Sequence, residues 1–436
     1  MTFKLRYREG AATPLTRWVL LVLVCVGLAA RLGVAVALDG GLNEGPKPGS
    51  DDFEYDSYAW NVAQGRGYRG ISPDVTDPEH LTAYRPPGTS LAWAGVYRLF
   101  GHRYAGVRVL HGIVGAATIL LVYWIGQRCF GRSVGLLAAG AYTVWPTSLL
   151  YSSALMSEPL GSFWLMGYVA VSLLFAGRPS GSRALWAGLL LGLAILTRPN
   201  AGLMVPLAGL WAAYQFRGRP RILLLALAIP IVSLLTLAPW AYRNYVVFDA
   251  FIPLSTGGGD VFLGANNSIV ATDPIYYGYW IWPGEIAEYR NALRPLNNEI
   301  ERDRLARKLA LSWLKENRDK WWYLAHSRVR RAWTPVLLPR SPKFYRLAML
   351  LSWTPVLTLM LVSFFPTLID FLRKRHPGWL LHLVIVHVAA GSIVFWGSSR
   401  FRYPIEGLCI ILTCAALVWV YRLLFGKRLT VPTMST

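Results

Sequence analysis

The sequence predicts an all-α polytopic membrane protein of about ten transmembrane helices, with juxtamembrane helices and loops gathered on one face. Long apolar runs recur along the whole chain. Charged residues make up only 15% of it, against about a quarter in soluble domains, and mean hydropathy is +0.37. Most of the acidic residues fall between particular pairs of apolar runs, as a two-sided membrane protein requires.

A span needs roughly 20 apolar residues, with tolerance for tilt. Ten segments qualify or come close: 17–38, 104–125, 133–150, 159–176, 184–196, 201–216, 222–240, 347–371, 379–396 and 405–425. The first is too long for a signal-peptide core and has no small-residue cleavage site after it, so it reads as a retained span. Residues 89–100 are apolar but too short to cross, which predicts a helix on the membrane surface or a re-entrant one. The resulting organisation is a basic tail (1–16), a membrane domain (17–240) interrupted by a first outer loop (39–88), a second outer loop (241–346), three closing spans (347–425) and a short tail (426–436). Within the second loop, Ile300, Leu305, Leu309 and Trp313 recur at helical spacing inside the charged stretch 297–320, predicting an amphipathic helix packed on the membrane domain.

Lysine and arginine in short loops orient the chain. With ten spans one side receives Lys4, Arg6, Arg8 and Arg17, then Arg128 and Arg132, Arg178 and Arg183, Arg217, Arg219 and Arg221, Arg373, Lys374 and Arg375, and finally Lys427 and Arg428. That side reads as cytoplasmic. The acids, which the rule does not use, agree: only Glu9 and Asp370 of the 23 fall on it. The absence of a cleaved signal and the Ala-, Arg- and Leu-rich composition suggest a bacterial inner (plasma) membrane as the setting, with the amino terminus inside.

The net charge of +21 would suggest nucleic acid in a soluble protein. Here basic residues flank spans and meet anionic lipid, so membrane lipids are the expected partner and nucleic acid is not. The four cysteines lie in or beside apolar runs and read as packing residues. The histidines are scattered, none at metal-ligand spacing, and there is neither a P-loop nor a dinucleotide fingerprint.

The candidate chemistry lies on the outer side. Beyond the first span, Asp51, Asp52, Glu54 and Asp56 place four acids in six residues. Such a cluster reads either as a solvated acidic loop or as a site in which a carboxylate acts as general base or helps bind a divalent metal. The interleaved Tyr55, Tyr58 and Trp60 favour a docked segment. Arg85, before Pro86-Pro87-Gly88, is held at the outer interface as a phosphate ligand or as an anchor. Glu158, before Pro159, is a helix cap or a site residue. Arg198, Arg243, Arg400, Arg402 and Tyr403 share the same compartment, and Arg31, inside the first span, either snorkels or lines a cavity. Should acids and arginines converge, they would form a base and an anion clamp at headgroup depth, which transfer from a lipid phosphate needs.

These motifs resemble the GT-C glycosyltransferases, in the branch of protein O-mannosyltransferases and aminoarabinose lipid A transferases. The resemblance rests on Asp51-Asp52-Phe53-Glu54-Tyr55 with Ala59 and Gly65-Arg66-Gly67-Tyr68. It extends through Arg85-Pro86-Pro87-Gly88, Ser157-Glu158-Pro159-Leu160 and Leu196-Thr197-Arg198-Pro199, then Pro253 to Gly258, Leu263 to Asn267 and Arg400-Phe401-Arg402-Tyr403-Pro404, in the same order. It covers roughly residues 17–421 and implies inverting transfer of a sugar from a polyprenyl-phosphate-sugar donor to a lipid, glycan or protein acceptor on the outer face. It places the catalytic acid on Asp51, with Asp52 where relatives often carry Glu. Arg85, Arg198, Arg400 and Arg402 become donor-phosphate ligands, and Tyr55, Glu158, Arg243 and Tyr403 further site residues. Some relatives bind a divalent metal near the acid; nothing in this sequence requires one, and no other cofactor is implied. A transporter or flippase for lipid-linked sugars is the alternative, and would call for ionisable residues near the bilayer midplane, which most spans lack.

Overall fold

Proline and buried charge set the shape of the membrane domain. The computed structural model describes residues 13–38, 41–71, 77, 79–335 and 343–425. Of the residues invoked for orientation, Lys4, Arg6, Arg8, Glu9, Lys427 and Arg428 lie outside these. Among the described residues the only strand-like pairing is an isolated bridge between Arg69 and Leu81.

The first half comprises α1 (Pro14–Leu38), α2 (Asp51–Ala63), α3 (Gly88–Phe100), α4 (Tyr104–Phe130), α5 (Arg132–Thr143), α6 (Pro146–Ser153), α7 (Glu158–Gly177), α8 (Gly181–Thr197), α9 (Met204–Gln215), α10 (Pro220–Leu235) and α11 (Ala238–Phe248). The second outer segment holds α12 (Gly258–Ala265), α13 (Ser268–Thr272), α14 (Ala287–Leu293), α15 (Glu299–Glu316) and α16 (Trp321–Trp333). The chain closes with α17 (Lys343–Arg373), α18 (Leu380–Val394), α19 (Ser399–Arg402) and α20 (Glu406–Phe425).

All ten predicted spans are helical. Among the described residues seven helices are long and apolar enough to cross a bilayer: Pro14–Ala37, Tyr104–Phe130, Glu158–Gly177, Pro220–Phe248, Arg346–Arg373, Pro377–Val394 and Ser399–Phe425. The other three segments are shorter. The third is cut into α5 and α6 by Pro146, which pushes Trp145 into an extended conformation (φ −67°, ψ 121°). The fifth and sixth are α8, of 17 residues, and α9, of 12. The seventh runs about two turns past Trp240 before Asp249, in a left-handed conformation (φ 49°), ends it.

The α5–α6 break explains Arg31, which neither snorkels nor lines a cavity. It is 1% exposed. Nη1 donates to the carbonyls of Gly27 (2.8 Å) and Thr143 (3.3 Å), and Nη2 to Ser148 Oγ (2.6 Å). The Thr143 carbonyl is an orphan of the α5 terminus, and Arg31 caps it.

Basic turns gather at one end of the bundle. The end of α9 meets the α17–α18 turn, where Trp211 Nε1, Tyr214 OH and Gln215 Nε2 donate to the carbonyls of Pro377 (3.2 Å), Leu372 (3.1 Å) and Arg375 (2.7 Å). The other end carries α2, α3, the start of α7, the end of α8 and α19. The short apolar segment forms α3, which buries Trp93, Ala94 and Tyr97 and exposes Leu91, Leu99 and Phe100. The amphipathic helix is α15, capped by Asn298, whose side chain accepts from the Ile300 and Glu301 amides. Its buried stripe is Glu299, Arg302, Ala306, Ala310 and Trp313, and Leu305 and Leu309 are only half-buried beside it. The stripe is set by α12, against which small alanines allow close packing.

Arg402 is part of the core. Its Nε donates to Glu406 Oε1 (2.9 Å), its Nη1 to the carbonyls of Ala332 (2.9 Å) and Thr334 (2.8 Å), and its guanidinium lies 4.2 Å over the Trp353 ring. Glu406 Oε2 accepts from Trp145 Nε1 (2.7 Å) and Thr147 Oγ1. Both side chains of the ion pair are 0% exposed. Arg402→Leu leaves Glu406 buried without its cation and is expected to destabilise the fold by about 3–5 kcal/mol. Arg307→Ala, which breaks a pair whose arginine is half exposed, is expected to cost under about 1 kcal/mol. Thermal midpoints of the two variants in one detergent check the contrast.

Candidate active site

The acidic segment after the first span is a helix. Ser50 takes an extended N-cap conformation, and Asp51, Asp52 and Glu54 occupy the first turn of α2, where the helix dipole favours negative charge. Residues three apart share a helical face, so Asp51 and Glu54 meet the same arginine. Arg85 donates from Nη2 to Asp51 Oδ1 (2.7 Å) and from Nε to Glu54 Oε2 (2.5 Å). Its guanidinium also lies 5.8 Å from the Tyr55 ring centroid and 5.3 Å from that of Tyr84.

The second oxygen of Asp51 belongs to Arg400, whose Nη1 donates to Oδ2 at 2.7 Å. Arg400 Nε donates in turn to Glu158 Oε1, and the same oxygen lies 2.9 Å from Arg198 Nη1. Arg198 Nη1 also donates to Ser157 Oγ (3.0 Å). Six side chains from five segments thus form one ladder of alternating sign: Glu54, Arg85, Asp51, Arg400, Glu158, Arg198. Glu158 is fully buried at the start of α7, so its role goes beyond capping. Asp51 keeps 31% of its side chain accessible, and Arg85 and Arg400 keep 22% each, so the middle of the ladder is its open part.

Two close approaches build this geometry. A Cβ on Gly88 would stand 2.8 Å from the Leu196 backbone, so glycine lets α3 begin against the end of α8 and brings Arg85 towards Arg198. A Cβ on Gly161 would stand 2.6 Å from Arg198 Cδ, so the first turn of α7 leaves room for the arginine's methylenes. A small cavity between α7, α8 and α18 adjoins Arg198 and is lined also by Asn200, His387 and Phe401.

Burial would raise the Asp51 carboxyl, but Arg85 and Arg400 outweigh it and hold the group well below the usual carboxylate range. Glu54 has one arginine only, and burial leaves its carboxyl above the ordinary value. Burial disfavours the charge on Arg85 as well, and Asp51 and Glu54 restore it. The ladder is therefore three cations against three carboxyls. Donors are left over: Arg85 Nη1 makes no hydrogen bond to a described residue, and Arg400 Nη2 reaches only the Met156 thioether at 4.0 Å.

Several sequence-predicted residues stand elsewhere. Asp52, next to the ladder, makes no ion pair with a described residue and is half-buried. Arg402 is taken up by Glu406 in the core, as described. Arg243 does not reach Asp51: Nη1 donates to the Thr82 carbonyl (2.9 Å) and Nη2 to the Tyr68 carbonyl (2.9 Å), clipping the first outer loop. Tyr403 is 1% exposed and packs edge-on against Tyr151, 4.9 Å between centroids. Tyr55 is buried beside the ladder, against Arg85 and Trp93. Glu54, part of the acidic cluster in the sequence, joins the site through its i+3 spacing from Asp51 on α2. Each carboxyl of the ladder is matched by a guanidinium. Among the described residues no three His, Cys, Asp or Glu side chains stand together as a metal site would need. The donor set suits an anion better than a divalent cation.

Residues 84–242 match the family described as dolichyl-phosphate-mannose-protein mannosyltransferase, a segment that includes Arg85, Glu158 and Arg198. No curated protein matches the chain. Among solved structures, the chain is similar to the archaeal oligosaccharyltransferase AglB from Archaeoglobus fulgidus, in complex with an inhibitory peptide and a dolichol-phosphate. The TM-score is 0.58 at 15% identity, over 95% of this chain and 53% of that one. The same enzyme tethered to an acceptor peptide containing the NVT sequon gives 0.59 at 15% identity, over 93% and 49%. ArnT from Cupriavidus metallidurans bound to undecaprenyl phosphate gives 0.46 at 16% identity, over 92% and 78%. The chain spans about half the length of the oligosaccharyltransferase chains it matches. The GT-C-like fold read from the motifs is the fold of this chain, an all-α polytopic membrane architecture.

The depressed Asp51 pKa carries a sign. A carboxyl whose folded-state pKa lies below its unfolded value, ~3.9, contributes stability that is complete above that value and lost as pH falls towards the folded pKa. The stability difference between the wild type and Asp51→Asn is therefore expected to hold level from pH 8 to about 5 and to shrink below about 4. Denaturation midpoints of both proteins across that range check it.

Proposed function

We propose that this protein is an inverting glycosyltransferase that moves a sugar from a polyprenyl-phosphate-sugar donor to an acceptor on the outer face of a bacterial inner membrane. The observation that carries the reading is Asp51 standing between two arginines with spare donors, in the open middle of the ladder, at the end of the bundle away from the basic turns. The family described for residues 84–242 supports it, as does the fold shared with an oligosaccharyltransferase solved with a dolichol-phosphate.

The chemistry follows from the groups. An acceptor nucleophile attacks the anomeric carbon as the bond from that carbon to the phosphate oxygen breaks. Attack and departure occur on opposite faces, and one displacement inverts the centre. Asp51 takes the acceptor's proton. The departing polyprenyl phosphate gains negative charge, which Arg85, Arg400 and Arg198 stabilise. Asp51 held by two cations is a weak base. A phosphate that draws Arg85 or Arg400 towards itself raises the proton affinity of Asp51, so donor binding prepares the base. Asp52 lacks this coupling and is the second candidate. The acceptor is a lipid, a glycan or a protein. With the basic turns cytoplasmic, the ladder faces outside.

Purified protein in nanodiscs with Asp51→Asn is expected to bind undecaprenyl phosphate yet lose transfer by about 10²-fold or more. Asp52→Asn is expected to retain most of it. Mass spectrometry of surface glycolipids and glycoproteins from cells carrying each variant supplies the readout. Full transfer by Asp51→Asn would remove Asp51 from the mechanism, and lipid translocation without any sugar transfer by the wild type would favour a flippase. Arg400→Ala is expected to lower turnover by about 10²–10³-fold, the scale of losing one electrostatic donor, measured as kcat in the same assay.

A further inference from the structure

Arg85 is only as well placed as the three residues before it, and these are held from outside the membrane domain. Every backbone polar group of Thr82, Ala83 and Tyr84 has a partner. The Thr82 amide donates to the Tyr68 carbonyl (3.2 Å), and the Thr82 carbonyl accepts from Arg243. The Ala83 amide donates to Glu299 Oε1 (2.8 Å), and its carbonyl accepts from the Thr256 amide (2.9 Å). The Tyr84 amide donates to Thr82 Oγ1 (2.9 Å), and its carbonyl accepts from the Gly257 amide (3.2 Å). Thr82 Oγ1 in turn donates to Glu299 Oε2 (2.8 Å).

Glu299 is the one ionised acceptor in this set. Both its oxygens are spent on the segment, and it is 5% exposed. Hydrogen bonds to a charged acceptor are about twice as strong as neutral ones, and a buried carboxylate that loses its donors is costly, so Glu299 and the segment fix each other. His80 Nε2, 3.9 Å from Oε2, is the only basic group paired with it among the described residues. Glu299 opens α15, in the second outer loop, more than 200 residues from Arg85 in sequence. The same loop supplies Thr256 and Gly257, and Asp260 accepts from the Tyr84 hydroxyl (3.3 Å) while pairing with Arg302 of α15. A Cβ on Gly257 would meet the Tyr84 carbonyl at 2.8 Å, so the loop backbone lies directly on the segment.

We infer that Glu299 is a positioning residue for the anion clamp: through Ala83 and Thr82 it sets where Arg85 stands, and so ties the second outer loop to the binding of the donor's phosphate. The inference rests on the lipid-phosphate reading proposed above. Its substance is that a carboxylate with no contact to the ladder governs affinity for a lipid phosphate.

The test uses the full chain in nanodiscs, with undecaprenyl phosphate as the probe, so that binding is read apart from transfer. Glu299→Ala is expected to weaken that binding about ten-fold or more. Glu299→Gln, which keeps an oxygen for the Ala83 amide, is expected to recover part of the loss. In turnover, donor KM rises while acceptor KM holds. Hydrogen exchange of the 82–88 amides is expected to quicken in Glu299→Ala without any lipid present. Unchanged lipid-phosphate affinity in Glu299→Ala, or a Gln variant no better than Ala, overturns the inference. Should Glu299→Ala fail to fold, Thr82→Val, which removes only the hydroxyl relay, decides: wild-type affinity in that variant overturns it. A wild type that binds the lipid phosphate but transfers no sugar defeats the glycosyltransferase reading and leaves the inference standing. A wild type that binds no lipid phosphate defeats both.

Discussion

The two-sided grip of Arg85 and Arg400 on Asp51 is the interaction on which the rest of the site depends. It joins the first turn of α2 to the loop before α3 and to α19, three segments distant in sequence. Removing either arginine leaves a part-buried carboxyl with one cation, and removing Asp51 leaves two guanidinium groups facing each other. The neighbouring rungs carry the same logic outward. Glu54 and Glu158 hold the outer sides of the two arginines, and Arg198 completes the neutralisation of a glutamate with no solvent exposure. Such an array is poorly explained by stability alone, since buried ion pairs seldom outperform apolar packing.

Other buried charges in the molecule show what a purely structural solution looks like. Arg402 and Glu406 pair with each other and with carbonyls, a hydroxyl and an indole, and neither is accessible. Arg31 caps a broken helix. Arg328 donates to the carbonyls of Ile393 (2.8 Å) and Ala265 (2.6 Å), and burial lowers its pKa to about 10. Each of these arginines ties helices together with donors directed into protein. The ladder differs in leaving its central members, Asp51, Arg85 and Arg400, open to the surface.

Much of this was legible in the sequence. Apolar runs gave the spans, and the lopsided acids gave a shared compartment for Asp51, Arg85, Glu158, Arg198 and Arg400, which do meet. What was not legible has two physical sources. Helix breaks depend on local backbone sterics that hydropathy ignores, so Pro146 divides a span, and another runs past Trp240 until Asp249 ends it. Partner choice between charged residues depends on which faces the helices present. Arg400 and Arg402 are two residues apart, hence on different sides of a short helix: one reaches Asp51 and the other Glu406. Arg243 and Tyr403 share the compartment but not the direction. Glu299 was hidden for the converse reason, as an ordinary charge in a charged stretch whose importance comes only from what the fold sets opposite it.

The equal count of cations and carboxyls in the ladder has a consequence for selectivity. An anion arriving there does not fill an empty positive pocket. It must compete with carboxylates already bonded to the same arginines, so Coulomb attraction alone gives it little advantage over the resident groups. A small ion free in water has nothing further to offer. A phosphate that arrives on a long hydrocarbon chain is concentrated at headgroup depth by the bilayer itself, and its effective local concentration does the work that net charge does not. On the proposed function, a ladder of balanced charge discriminates against soluble anions through the membrane rather than through the shape of the pocket.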